Sequence, residues 1–159
     1  MKSIQILLCA VLAYCVCSIC PMPSHSAPAL GEEYVGMWVL AEHDEGGKVS
    51  KTEESDKDVD TIKFTKDSVE LVHSGGLFKG QYRISKQKDM WHVDFVFAKK
   101  GAEERVNHAI MRMNGKELQI CVSEKFRAND EKDRPVEFGT DSKRNKDLDG
   151  LILFTYRRK

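Results

Sequence analysis

The chain has 159 residues, 25 Lys and Arg against 25 Asp and Glu, and 41% hydrophobic positions. That length fits one domain, the zero net charge provides no basic field for tracking a phosphate backbone, and the apolar fraction argues against wholesale disorder. Nucleic-acid binding is therefore not expected.

The N-terminus reads Met1-Lys2-Ser3, then an apolar run from Ile6 to Cys20, then Pro21, Pro23 and the small-residue string Ser24-His25-Ser26-Ala27. This is the charged, hydrophobic and cleavage order of a secretory signal. Residues 1–26 are expected to be removed and 27–159 to form one exported domain, in the periplasm or outside the cell. The run falls short of the roughly 20 apolar residues a spanning helix needs. An uncleaved tether is the weaker alternative, and no stable membrane insertion is expected after cleavage. Cys9, Cys15, Cys17 and Cys20 leave with the signal, so Cys121 is the single thiol of the remaining 133 residues. A domain without disulfides must rely on its core, and Cys121 reads as a small buried hydrophobe.

Beyond the signal, apolar residues alternate with period two and show no sustained helical recurrence. In chain order the predicted strands are Tyr34–Glu42, Thr61–Thr65, Ser68–His73, Phe78–Ser85, Met90–Ala98, Arg105–Met113, Leu118–Glu124 and Leu151–Arg158. Asn114-Gly115 between two alternating runs predicts a type I′ hairpin turn. Eight strands on short connections predict an all-β, up-and-down antiparallel barrel, a closure that also removes exposed edges. Two polar stretches, Asp44–Asp60 and Lys125–Asp149, read as long loops at the barrel rim.

One face of these strands collects Trp38, Leu40, Ile62, Phe64, Val69, Leu71, Phe78, Tyr82, Ile84, Trp91, Val93, Phe95, Phe97, Leu118, Ile120 and Val122. An eight-stranded barrel is wide enough either to be filled by such side chains or to keep room for one small ligand. The candidate ligand-binding residues of the interior are Trp38, Phe64, Tyr82, Trp91, Phe95, Phe97 and His108, the last sharing a strand face with Val106 and Ile110.

Gly36-Met37-Trp38 resembles the G-x-W opening of lipocalin-like barrels, where the Trp closes one end and an Arg of the last strand packs over it. That resemblance assigns the closure to Gly36, Trp38 and Arg158. A wider resemblance covers almost the whole mature chain through Gly47-Lys48, Ile62-Lys63-Phe64, Gly80-Gln81-Tyr82, Asn114-Gly115-Lys116-Glu117-Leu118-Gln119-Ile120-Cys121, Arg134-Pro135-Val136-Glu137-Phe138 and Leu151-Ile152-Leu153. On these the chain resembles the uncharacterised exported lipocalin-like domain family abundant in planctomycete bacteria. The resemblance implies the barrel and brings no activity with it. His108 departs from the Gly usual at its position, and the stretch between Phe138 and Gly150 is longer and more charged.

Motifs for chemistry are absent from the sequence. His43, His73, His92 and His108 have no metal-ligand spacing. Asp56-Lys57-Asp58-Val59-Asp60 fails as a calcium loop because Thr61 stands where a sharp turn needs Gly. No nucleophile elbow or phosphate-binding glycine loop occurs. The sequence thus predicts a monomeric binding module without catalysis, metal or cofactor, holding a small apolar or amphipathic ligand in the cell envelope. The alternative is a closed barrel that meets a cell-envelope protein through its long loops, as an interaction or inhibitor module.

Overall fold

In the computed structural model, residues 30–53, 59–97, 105–123, 131–140 and 150–159 are described. The expected signal segment 1–26, the strand ends at Ala98 and Glu124, and the rest of the two long stretches lie outside them. Among the described residues nine strands follow one another: β1 (Gly36–Glu45), β2 (Lys48–Lys51), β3 (Thr61–Phe64), β4 (Ser68–His73), β5 (Gly76–Gln87), β6 (Met90–Phe97), β7 (Arg105–Asn114), β8 (Glu117–Ser123) and β9 (Leu151–Arg158). All pairings are antiparallel, and β1 also pairs with β9. The result is a closed eight-stranded barrel of β1 and β3–β9. The short β2 continues the β3 edge along the outer half of β1.

The predicted strands match in type and order, and Ser68–His73 and Leu151–Arg158 match end to end. Two expectations need correction. The stretch from Asp44 is not all loop: β1 runs on to Glu45, turns through Gly46-Gly47, and returns as β2. Lys48–Lys51 is exposed at every position, so no buried face imposes the alternation that would have marked it as a strand. The β7–β8 turn centres on Gly115-Lys116, with Asn114 paired to Glu117. Only Gly115 has positive φ (64°), which is the type II′ pattern, with Gly at the first central position, and not I′.

Strand β1 contains the irregularity that matters most. Leu40 pairs with Tyr156 and Glu42 with Thr155, so Ala41 is an extra residue, a bulge against β9. Before it, Trp38 and Leu40 point inward. After it, His43 and Glu45 do so in place of Glu42 and Asp44, because one inserted residue reverses which side chains face the barrel.

The interior is tightly packed at one end. Trp38, Phe64, Val69, Val93, Met111 and Leu118 are almost fully buried there. Tyr34 meets Trp91 edge-on with centroids 6.3 Å apart, and Phe64 meets Tyr82 likewise at 5.7 Å. The Trp38 indole N–H donates to the Tyr34 carbonyl at 2.9 Å. The Arg158 guanidinium lies 5.2 Å from the centre of the Trp38 ring and donates to the Val35 carbonyl, directly beside Gly36. The cation sits over the ring while its N–H groups tie down the segment entering β1.

A second apolar cluster lies outside the barrel. Ile110, Cys121 and Leu151 are buried beneath Phe138, with Met90 and Leu153 beside them. The covering strap begins with one turn of 3-10 helix, Glu131–Asp133, and continues through Arg134, Pro135 and Phe138. The Phe138 ring stacks 4.1 Å below the Arg112 guanidinium. At its far end the Thr140 hydroxyl accepts from the Gly47 N–H and donates to Asp44, both at 2.9 Å.

Gly80 allows β5 to pass close to β6. A Cβ there would stand 2.4 Å from the Val96 carbonyl oxygen and 2.8 Å from the Phe97 ring. Gly80→Ala is expected to lower stability by about 1–3 kcal/mol through this overlap, and Arg158→Ala by about 1 kcal/mol through loss of the Trp38 contact. Chemical denaturation of the two variants measures both, and a neutral Gly80→Ala would show that the strands can separate at no cost.

Candidate functional site

The barrel is open at the end away from Trp38. The Trp38 end is closed by the short turns after β3, β5 and β7 and by the Tyr34 segment, whereas β4 and β5 turn through Ser74-Gly75 at the other, where β6 and β8 also end. A cavity of about 540 Å³ enters there. Its apolar wall comes from Leu40, Ile62, Leu71, Phe95, Phe97, Ile120, Val122, Ile152 and Phe154. Its polar groups are His43, Glu45, Asp60, His73, Asn107, Ser123 and the Tyr156 hydroxyl.

Each polar position follows from the strand that holds it. His43 and Glu45 face inward because of the Ala41 bulge. Asp60 precedes β3, where its backbone carbonyl accepts from the Leu40 N–H at 2.9 Å. Its carboxylate accepts from His73 Nδ1 at 2.6 Å and from the Ser74 N–H at 3.0 Å, bracing the β4–β5 turn. Asn107 stands opposite Phe95 in the β6–β7 ladder, and its Oδ1 is buried with no hydrogen-bond partner among the described residues. Tyr156 lies opposite Leu40. Burial pushes its phenol well above the usual tyrosine range, and the negative charge of Asp60 adds to the shift.

Of the interior residues singled out from the sequence, Phe95 and Phe97 line this cavity. Trp38, Phe64, Tyr82 and Trp91 face inward but pack in the closed end, where Tyr82 donates its hydroxyl to the Thr65 carbonyl at 2.7 Å. Phe78, also assigned to the inward face, is 49% exposed near the β4–β5 hairpin. His108 does not point into the barrel. It shares the outer face with Ile110, because β7 turns Ala109 and Met111 inward.

Outside, His108 belongs to a buried ionic cluster that sequence spacing could not reveal, since Arg134 reaches it from 26 residues away. The His108 Nδ1–H donates to Asp94 at 2.7 Å. Arg134, 8% exposed, bonds the same carboxylate oxygen and donates to the carbonyls of Ala109 (2.9 Å) and Val93 (3.2 Å). Burial works to raise the Asp94 pKa, but the hydrogen bonds from His108 and Arg134 overcome it and hold the carboxyl below its usual range. Burial, then the charge of Arg134, lowers His92 beside it. An Asp–His pair of this kind can orient a general base. Here His108 Nε2 is buried and bonded to nothing among the described residues, and the cluster lies outside the cavity. Its evident effect is to fasten the strap over Ile110 and Cys121. The Cys121 thiol is pushed up to about 11 by its burial.

Among the described residues no group of three His, Cys, Asp or Glu side chains is placed to hold a metal ion, and no helix is long and apolar enough to cross a membrane. No protein-family model, curated protein or solved structure matches the chain.

Two outcomes follow from the strap. His92 and Asp94 both have folded-state pKa values below their ordinary ones, so each contributes stability at high pH that is lost on acidification. Stability should begin to fall below about pH 6.5, as unfolding lets His92 take up a proton, and fall again below about pH 4 for Asp94. Urea midpoints across this range measure it, and a flat profile would contradict the assigned cluster. Removing the guanidinium by Arg134→Ala should cost about 2–4 kcal/mol. It should also expose Cys121 to a thiol reagent that does not react with the native protein.

Proposed function

We propose that this chain is an exported, lipocalin-like barrel that holds a small apolar or amphipathic molecule in its cavity and performs no catalysis on it. The observation that carries the reading is the cavity of about 540 Å³ at the open end. Ligand pockets typically run from about 300 to 1,000 Å³, with mostly apolar walls and a few polar groups that orient the occupant. A cavity walled by Leu40, Ile62, Phe95, Ile120 and Phe154 and rimmed by His43, Glu45, Asp60 and Asn107 fits that description. The Gly36–Trp38–Arg158 closure is the feature that supports the lipocalin-like assignment. The Met1–Ala27 pattern supports export to the periplasm or beyond, with an uncleaved tether as the alternative. On this reading the protein acts as a monomer with a small-molecule partner and without a cofactor.

The second reading, an interaction or inhibitor module for a cell-envelope protein, draws on apolar side chains exposed near the mouth: Val49 (58%), Leu77 (58%) and Phe78 (49%). Against it, the described part of the second long stretch, residues 131–140, is committed to the barrel wall through Arg134 and Phe138.

A neutral solvatochromic dye separates the two. It should bind at one site per chain, and Val122→Trp, which fills the cavity from β8, should weaken binding about tenfold or more by removing occupiable volume. The melting temperature should change by only a few degrees. Failure of the dye to bind, or unchanged binding by a folded Val122→Trp variant, would overturn the cavity reading and shift weight to the exposed hairpins.

A further inference from the structure

The apolar wall accepts any hydrophobic tail, whereas the charges at the mouth choose among head groups. The charged side chains among the described lining residues are Glu45 and Asp60, joined by the imidazoles of His43 and His73. No Lys or Arg is among them.

Asp60 is a fixed negative site. One carboxylate oxygen is held by His73 Nδ1 at 2.6 Å and the other by the Ser74 N–H at 3.0 Å, and the backbone is tied to Leu40 at 2.9 Å. Its side chain is 17% exposed, while that of His73 is 55% exposed. The carboxylate therefore sits on the sheltered side of the pair, toward the cavity. Its field also reaches Tyr156 within the barrel, where it adds to the upward shift of the phenol. Glu45, turned inward by the Ala41 bulge opposite Ile152, adds a second carboxylate to the same mouth.

A fatty acid with its tail among Leu40, Phe95 and Ile120 would bring its carboxylate against these two like charges. An ammonium there gains charge-assisted hydrogen bonds, for which it carries three donors. An alcohol can donate a single neutral one.

We propose that the barrel is selective for amphipathic cations, with an alkyl chain in the apolar cavity and a primary ammonium at Asp60 and Glu45, and that it discriminates against fatty acids. This rests on reading the cavity as a ligand site. It adds the chemical class of the ligand.

The test is competition of decylamine, decanol and decanoate against a neutral dye bound to the purified protein. It is run below the concentrations at which the competitors form micelles, at low salt and at pH 8, above the ordinary imidazole range. Decylamine should displace the dye at about tenfold lower concentration than decanoate, with decanol between them. The ratio of amine to carboxylate affinity should narrow in Glu45→Gln and in Asp60→Asn. Glu45 is exposed and can be neutralised without disturbing the β4–β5 turn, so narrowing in that variant reports charge and not damage to the fold. Decanoate binding as tightly as decylamine, or a ratio unchanged in both variants, overturns the selectivity while leaving the cavity as a ligand site. Failure of all three compounds to bind overturns the cavity reading and this inference with it.

Discussion

Pairing of the first strand with the last turns this sheet into a container. Without the β1–β9 ladder, β1 and β9 would each present an open edge and the inward face would be an exposed apolar sheet. With it, those side chains line one enclosed space. The ladder is also where the site acquires its chemistry. Ala41, the extra residue between Leu40 and Glu42, lets β1 turn Trp38 into the closed half and Leu40 into the cavity wall and then present His43 and Glu45 at the mouth. A regular strand would have put Glu42 and Asp44 there instead. One residue of bulge thus separates an apolar wall from a polar rim on the same strand.

The two halves of the barrel use their side chains differently. Near Trp38 the large aromatics meet edge-on, Tyr34 against Trp91 and Phe64 against Tyr82, and Arg158 covers the seam. Toward the mouth the wall is made of smaller aliphatic groups together with Phe95, Phe97 and Phe154, and the space between them stays open. A barrel with such a hollow forgoes part of its possible core packing. The outer strap adds contacts elsewhere: Phe138 covers Ile110 and Cys121, and the Arg134 guanidinium satisfies a carboxylate and two strand carbonyls. A buried ion pair does not by itself ensure stability, because desolvation offsets much of the attraction. Its geometric effect is firmer, since Arg134 fits only where Asp94, Val93 and Ala109 converge.

Most of the fold was legible in the sequence because the barrel obliges its strands to alternate. Trp91, Val93, Phe95 and Phe97 could be read as one face by inspection, and Gly115 marked its hairpin although the turn type differed. Strand β2 was not legible, for Lys48–Lys51 buries nothing and so carries no pattern. The site was legible only in part. Phe95 and Phe97 follow from alternation, but which inward residues fill the barrel and which line a hollow depends on packing in three dimensions. That is why Trp38, Tyr82 and Trp91 were grouped with them. His43 and Glu45 were hidden by the bulge, which no local residue choice announces. His108 was assigned inward because it stands among apolar neighbours. Those neighbours, Ile110 above all, are buried by a strap more than twenty residues further along the chain.

The central claim is that the hollow between Leu40, Phe95, Ile120 and Phe154 is where a molecule binds, and that the Trp38 end is a sealed structural plug. Amide and indole NMR spectra recorded while decylamine is titrated test this residue by residue. The account predicts shifts concentrated at Leu40, His43, Asn107, Val122 and Ile152, with the Trp38 indole resonance unmoved. Shifts centred on Trp38 and Trp91, or confined to the exposed hairpins around Val49 and Leu77, would contradict it.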